Sequence, residues 1–184
     1  MNLLYVFILL LIVFYIYVFY IRKSIYLERV TSNLNKNSYF VRMLPDKQDA
    51  ADLLAEISDN LYKLINSLPS NSANDRLQKN FNNNISENIP GSLYVAYSIN
   101  KGDELSICLR NKDDDSFIDI NTIMFVAIHE ITHIMTLDTG HTNNFWKNMK
   151  YLLDKATEIG VYYPVDYSTV PTEYCGMKIN STPQ

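Results

Sequence analysis

His-Glu-Ile-Thr-His-Ile-Met-Thr-Leu-Asp-Thr-Gly-His, residues 129–141, contains all three histidines of the 184-residue chain. His129 and His133 stand four apart, and the apolar lead-in Ile123-Met124-Phe125-Val126-Ala127-Ile128 reads as helix, so both imidazoles project from one face. Two nitrogens placed this way can reach one metal ion at about 2.0–2.1 Å, the distance Zn²⁺ prefers. Glu130 lies about 100° round the helix from His129, where its carboxylate can work on a water at the ion rather than on the ion itself. H-E-x-x-H alone also occurs in ordinary amphipathic helices. Here chance would have to gather three scarce histidines and set polar groups at the end of an apolar run, where an unpaired polar group is costly to bury. The pattern reads as a metal site.

On the C-terminal side, Asp138-Thr139-Gly140 ends the motif helix, with Gly140 able to adopt the left-handed conformation the turn needs. Thr142 is a good N-cap for a helix from Asn143 to about Ile159, whose buried stripe is Phe145, Met149, Leu152, Leu153 and Ala156, with Trp146 alongside. Such a reversal can return His141 to the ion. Three protein nitrogens with an open fourth position suit a catalytic zinc rather than a structural one. Asp138, Asp154 and Glu158 are rival ligands, and Asp154 or Glu158 would serve if His141 pointed away.

On the N-terminal side, Asp119 or Asn121 can cap the motif helix. Leu93, Val95 and Tyr97 alternate as a strand, Asn100-Lys101-Gly102-Asp103 makes a turn, and Leu105 to Leu109 returns as a second strand with Cys108 buried in it. Asn111 to Asp115 lacks the glycine and distal glutamate of a calcium loop and reads as a solvated turn. Asn80 to Asn88 reads as an exposed polar loop. Pro45-Asp46 opens a helix to about Leu68, with Ala50, Leu53, Leu54, Ile57, Leu61, Leu64, Ile65 and Leu68 on one face; Pro69 and Ser70 to Ala73 stop it. An apolar helix flanked by a hairpin suits an α+β domain with the site on its inner helix. The strand nearest the cleft can offer its edge to an extended peptide.

Leu3 to Ile21 is a run of nineteen residues without a charge, long enough to cross a hydrocarbon core of about 30 Å. With no basic n-region and no cleavage site, it is expected to be an uncleaved anchor over residues 1–23, followed by a juxtamembrane linker at 24–44 and the metal-binding domain at 45–184. Arg22, Lys23 and Arg29 flank its C-terminal end, so the positive-inside rule places the body in the cytoplasm as part of a single-pass membrane protein. A formal net charge of −4 without a basic stripe gives no nucleic-acid signature. Cys108 and Cys175 have no C-x-x-C spacing and are expected to be two buried thiols rather than a disulfide.

The H-E-x-x-H helix, the Gly140-His141 turn, the Phe145-Trp146 pair, the strand residues Cys108-Leu109-Arg110 and the Tyr174-Cys175-Gly176 close together resemble the WLM and SprT-like zinc metallopeptidases. The resemblance runs from about Val41 to Ile179. It implies a small zincin-like α+β domain, one zinc held by His129, His133 and His141, Glu130 as catalytic base, and a protein or peptide substrate. Thr136 and Thr139 stand where a metzincin carries its glycine and third histidine, which disfavours that clan.

The chemistry expected is peptide-bond hydrolysis, with a zinc-activated water losing its proton to Glu130. Tyr162, Tyr163, Tyr167 and Tyr174 are candidate oxyanion donors among fourteen tyrosines. Cys175 offers a latent zinc ligand as a minor alternative to burial. A membrane-tethered interaction protein with a structural or vestigial zinc is the other class of reading. The presence of Glu130 argues against it, because a structural site has no use for that carboxylate.

Overall fold

A computed structural model of the protein describes residues 3–92 and 94–183, apart from the side chains of residues 18–24. Helix α1 (Leu3–Tyr26) leads into β1 (Leu27–Thr31) and β2 (Ser38–Arg42), which pair antiparallel with Leu27 opposite Arg42. This hairpin, strands and turn together, spans most of the stretch expected to be a linker. Its polar residues are turn residues: the Ser32 hydroxyl and the Asn33 amide both donate to Asp52, each at 2.6 Å, and so fix the β1–β2 turn to the next helix.

That helix, α2 (Lys47–Ser67), buries Ala50, Leu54, Ile57, Leu61, Leu64 and Ile65, as its spacing predicts. Helix α3 (Ser72–Asn80) follows where only a helix stop is read from sequence; Asn71 starts it by accepting bonds from the Ala73 and Asn74 amides. The expected exposed loop at 80–88 is a second correction. It contains β3 (Ile85–Glu87), buried at all three positions. A strand this short shows no periodicity, and its burial comes from neighbours distant in sequence.

The hairpin is present as β4 (Ala96–Ile99) and β5 (Glu104–Ile107), while Leu93 lies outside the described residues. Gly102 in its turn has a φ of +126°, and a Cβ there would meet the Asn80 carbonyl oxygen at 2.1 Å. The turn is thus set against the end of α3. Strand order is β1-β2-β3-β5-β4, with β2, β3 and β5 parallel to one another and β1 and β4 antiparallel at the two edges. Helix α4 (Ile120–Met135) packs on β4 and β5, α2 on β1, β2 and β3, and α5 (Asn143–Glu158) on α4. A final hairpin, β6 (Thr172–Tyr174) and β7 (Met177–Ile179), closes the domain.

The α+β architecture stands, but the anchor in front of it does not. Among the described residues no helix is long and apolar enough to cross a membrane. The single-pass, cytoplasm-facing localisation falls with it, and the side chains of Arg22 and Lys23 that carried the topology lie outside the described set. The cysteines are corrected too: Cys108 and Cys175 form a disulfide with a sequence separation of 67. It joins the end of β5 to the β6–β7 turn, a meeting created by the tertiary fold alone, and it leaves Cys175 no free thiol for a metal.

Candidate metal centre

Helix α4 begins where Asp119 accepts a hydrogen bond from the Thr122 amide at 3.0 Å. Ile123, Ala127, Ile128, Ile131 and Ile134 are fully buried on its core side. His129, Glu130 and His133 occupy the remaining, half-buried face. The helix ends at Met135, a few residues before the expected stop, because three cationic or amide donors take up its last polar groups. Arg76 donates to the Met135 carbonyl at 2.6 Å, Lys101 donates to those of Thr136 and Leu137 at 3.3 and 3.1 Å, and Asn148 donates to the Thr136 hydroxyl. Positive charge at a helix C-terminus also complements the backbone dipoles.

The turn that follows delivers the third histidine. Gly140 has a φ of +81°, as its place in the turn requires. Asp138, a rival ligand on sequence grounds, instead accepts from the Thr142 hydroxyl and the Asn144 amide, each at 2.9 Å, and pins both ends of the turn. Thr142 caps α5 through the Phe145 amide. Glu158 pairs with Lys155 at 2.6 Å, and Asp154 lies in a separate cavity near Tyr162.

His129, His133 and His141 therefore converge. Their ligand atoms all lie within 4.8 Å of one another, and the Nε2 atoms of His129 and His141 are 2.9 Å apart. A tetrahedral zinc with nitrogens at about 2.0–2.1 Å separates them by roughly 3.3 Å, a spacing these distances bracket. Phe145 forms the floor, its ring centroid 4.8, 4.4 and 4.7 Å from those of His129, His133 and His141. Trp146 stands 5.4 Å from His141. Sequence spacing marks Phe145 as a stripe residue with Trp146 alongside it, and neither as the bed of the imidazoles.

The electrostatics suit a cation. Burial, then the neighbouring His133 and His141, pushes His129 down to about 3. Burial, then His141 and Lys101, pushes His133 down to about 4. Both are neutral at pH 7, the form a metal needs. Burial pushes Glu130 up to about 7, and among the described residues nothing bonds to its carboxylate. Of the tyrosines, Tyr174 donates its hydroxyl to the Cys108 carbonyl at 2.9 Å, while Tyr167 is buried against Phe125. Tyr162 accepts from the Val165 amide, and Tyr163 is exposed.

Two cavities meet at this point. One, of about 350 Å³, is a trough holding the three histidines and Glu130 beneath β4 and Lys101. The other, of about 260 Å³, is mainly apolar. Both are bordered by Ala96, His129 and Glu130.

Residues 78–176 match the WLM domain model. The uncharacterized protein R325 of Acanthamoeba polyphaga mimivirus is 33% identical over 160 residues, covering 82% of this chain and 81% of its own length. The crystal structure of Wss1 from Saccharomyces cerevisiae superposes with a TM-score of 0.52 at 24% identity, covering 65% of this chain and 87% of that one. A mutant of the same protein gives 0.53 at 23% identity, covering 66% and 92%. At these identities the likeness to Wss1 establishes the fold alone.

Proposed function

Because the chain belongs to the WLM domain family, a family of zinc metallopeptidase type, we propose that it hydrolyses peptide bonds of a protein or peptide substrate with one zinc ion held by His129, His133 and His141. The observation that carries this reading is Glu130: half-buried, unpartnered among the described residues, and set beside three convergent histidines. A structural zinc site has no role for such a carboxylate. The ion would supply Lewis acidity toward a water and the scissile carbonyl.

Glu130 takes a proton from the attacking water and returns it to the leaving amine. Strand β4 lies at the sheet edge beside the trough and offers backbone pairing to an extended peptide. The catalytic unit is the region from residue 45 to 184, joined by β1 and β2, which complete its sheet.

Metal analysis paired with a peptidase assay on unfolded protein substrate tests the proposal. The wild type should carry about one zinc per chain. Glu130→Gln should keep that zinc and lose roughly 10²–10⁴-fold in turnover. His133→Ala should lose both. Full activity in Glu130→Gln, or a folded wild type that takes up no zinc, would end this reading.

A further inference from the structure

We propose that the apolar cavity beside Glu130 is the specificity pocket of this site, and that it takes one bulky aliphatic or aromatic side chain from the residue adjoining the scissile bond. The inference rests on the peptidase reading and names the substrate class that reading leaves open. Glu130 and His129 stand at the junction of the two cavities. A peptide lying in the trough with its reacting carbonyl at Glu130 therefore places an adjoining side chain over the apolar opening.

Size and lining agree with that occupant. A dry apolar cavity of about 150 Å³ accommodates benzene, so about 260 Å³ accommodates a leucine or phenylalanine side chain. The wall is made by Phe125, Val126, Trp146, Met149, Tyr174 and Met177. Phe125, Met149 and Tyr174 are at most 5% exposed, so the base is firm. Tyr174 lines the cavity while its hydroxyl is satisfied by the Cys108 carbonyl. Two methionines lend the wall enough adaptability for both branched and ring shapes.

The charged groups bordering the cavity are Glu130 and Lys178, with Asn180 and Ser181 near the latter. Met177 and Trp146 remain 49% and 37% exposed at its sides. Apolar surface of this kind gains from being covered by an apolar ligand.

Trp146 is the chain's single tryptophan, and it lines this cavity beside His129 and His141, so its emission reports on ligands entering at this junction. The 184-residue Glu130→Gln protein is titrated with blocked five-residue alanine peptides whose central residue is glycine, alanine, leucine, phenylalanine or lysine. In parallel, wild-type kcat/KM is measured on the same set. Leucine and phenylalanine peptides should shift Trp146 emission and bind at least about 10-fold tighter than the glycine peptide. Val126→Phe, which narrows the cavity, should cut the leucine-over-alanine preference at least about 10-fold.

Met177→Asp changes a half-exposed hairpin position and keeps the test open if Val126→Phe does not fold; it should weaken the leucine peptide and favour the lysine one. A flat side-chain profile, or a preference untouched by these substitutions, overturns the pocket even if every peptide is cut. Graded emission shifts with no peptide hydrolysed by the wild type would instead retain the pocket and remove the peptidase reading.

Discussion

Two groups of titratable side chains sit in this domain, built on opposite plans. In the first, Arg110 is 2% exposed and Glu87 1% exposed, yet every charge is answered from within. Arg110 donates to Glu87 at 2.8 Å, to both Asp46 oxygens at 2.7 and 2.9 Å, and to the Asp115 carbonyl, while it lies 4.2 Å over the Phe117 ring. The other Glu87 oxygen accepts from the Arg42 amide, and Arg110's hydrogen bond holds Asp46 below the usual carboxylate range. In the second, three imidazoles and Glu130 face one another, and Lys101 at the trough's border donates to the Thr136 and Leu137 carbonyls rather than to the Glu130 carboxylate. A closed network serves the fold. An open one leaves its groups available to something from outside, and neutral imidazoles are the form that can hold a cation.

The largest break in that comparison is expected from the closed network. Glu87→Gln leaves a buried guanidinium short of its charge and should cost roughly 3–5 kcal/mol in urea unfolding. A cost below about 1 kcal/mol would mean that Asp46 alone answers Arg110. Next comes the disulfide that joins the neighbourhoods, since Cys108 lies two residues from Arg110 and Cys175 follows Tyr174 in the pocket wall. Replacing both cysteines by serine should cost roughly 2–4 kcal/mol in the same measurement, the range typical of opening a long loop.

The smallest effect has the opposite sign. Metal-free Glu130→Gln should be more stable than wild type by roughly 2 kcal/mol at pH 8, because one pKa unit is worth about 1.4 kcal/mol and part of the carboxylate still meets water. Glu130's folded value, about 7, lies above the ordinary value of 4.5, so its favourable contribution is complete below 4.5 and is lost as pH rises through about 7. The gain should therefore disappear at pH 4. His129 and His133 act the other way: their values are depressed to about 3 and 4, so stability present above 6.5 is lost as pH falls toward those values. Thermal unfolding with chelator at pH 4, 6 and 8 checks both signs.

Much of the second group is legible in the sequence because its geometry is local. A spacing of four sets His129 and His133 on one helical face, and Gly140 with Thr142 announces the turn that returns His141. What is not legible depends on distant partners. Arg110, Glu87 and Asp46 lie in three separate segments, and no periodicity marks them as neighbours. Strand β3 is buried by β2 and β5 rather than by any pattern of its own. The same holds for the pocket, whose wall draws on α4, α5 and the last hairpin. The apolar composition of residues 3–21 reads as an anchor, which the described helix does not support.

The Cys108–Cys175 bond also makes the domain topologically a ring. Its circumference contains α4, the Gly140 turn and α5, and hence all three histidines and Glu130. One backbone scission anywhere along that circumference leaves a single molecule under non-reducing conditions and two fragments once the bond is reduced. Self-digestion within the ring would thus add only one water to the mass while the disulfide is intact, and would separate into two fragments only after reduction.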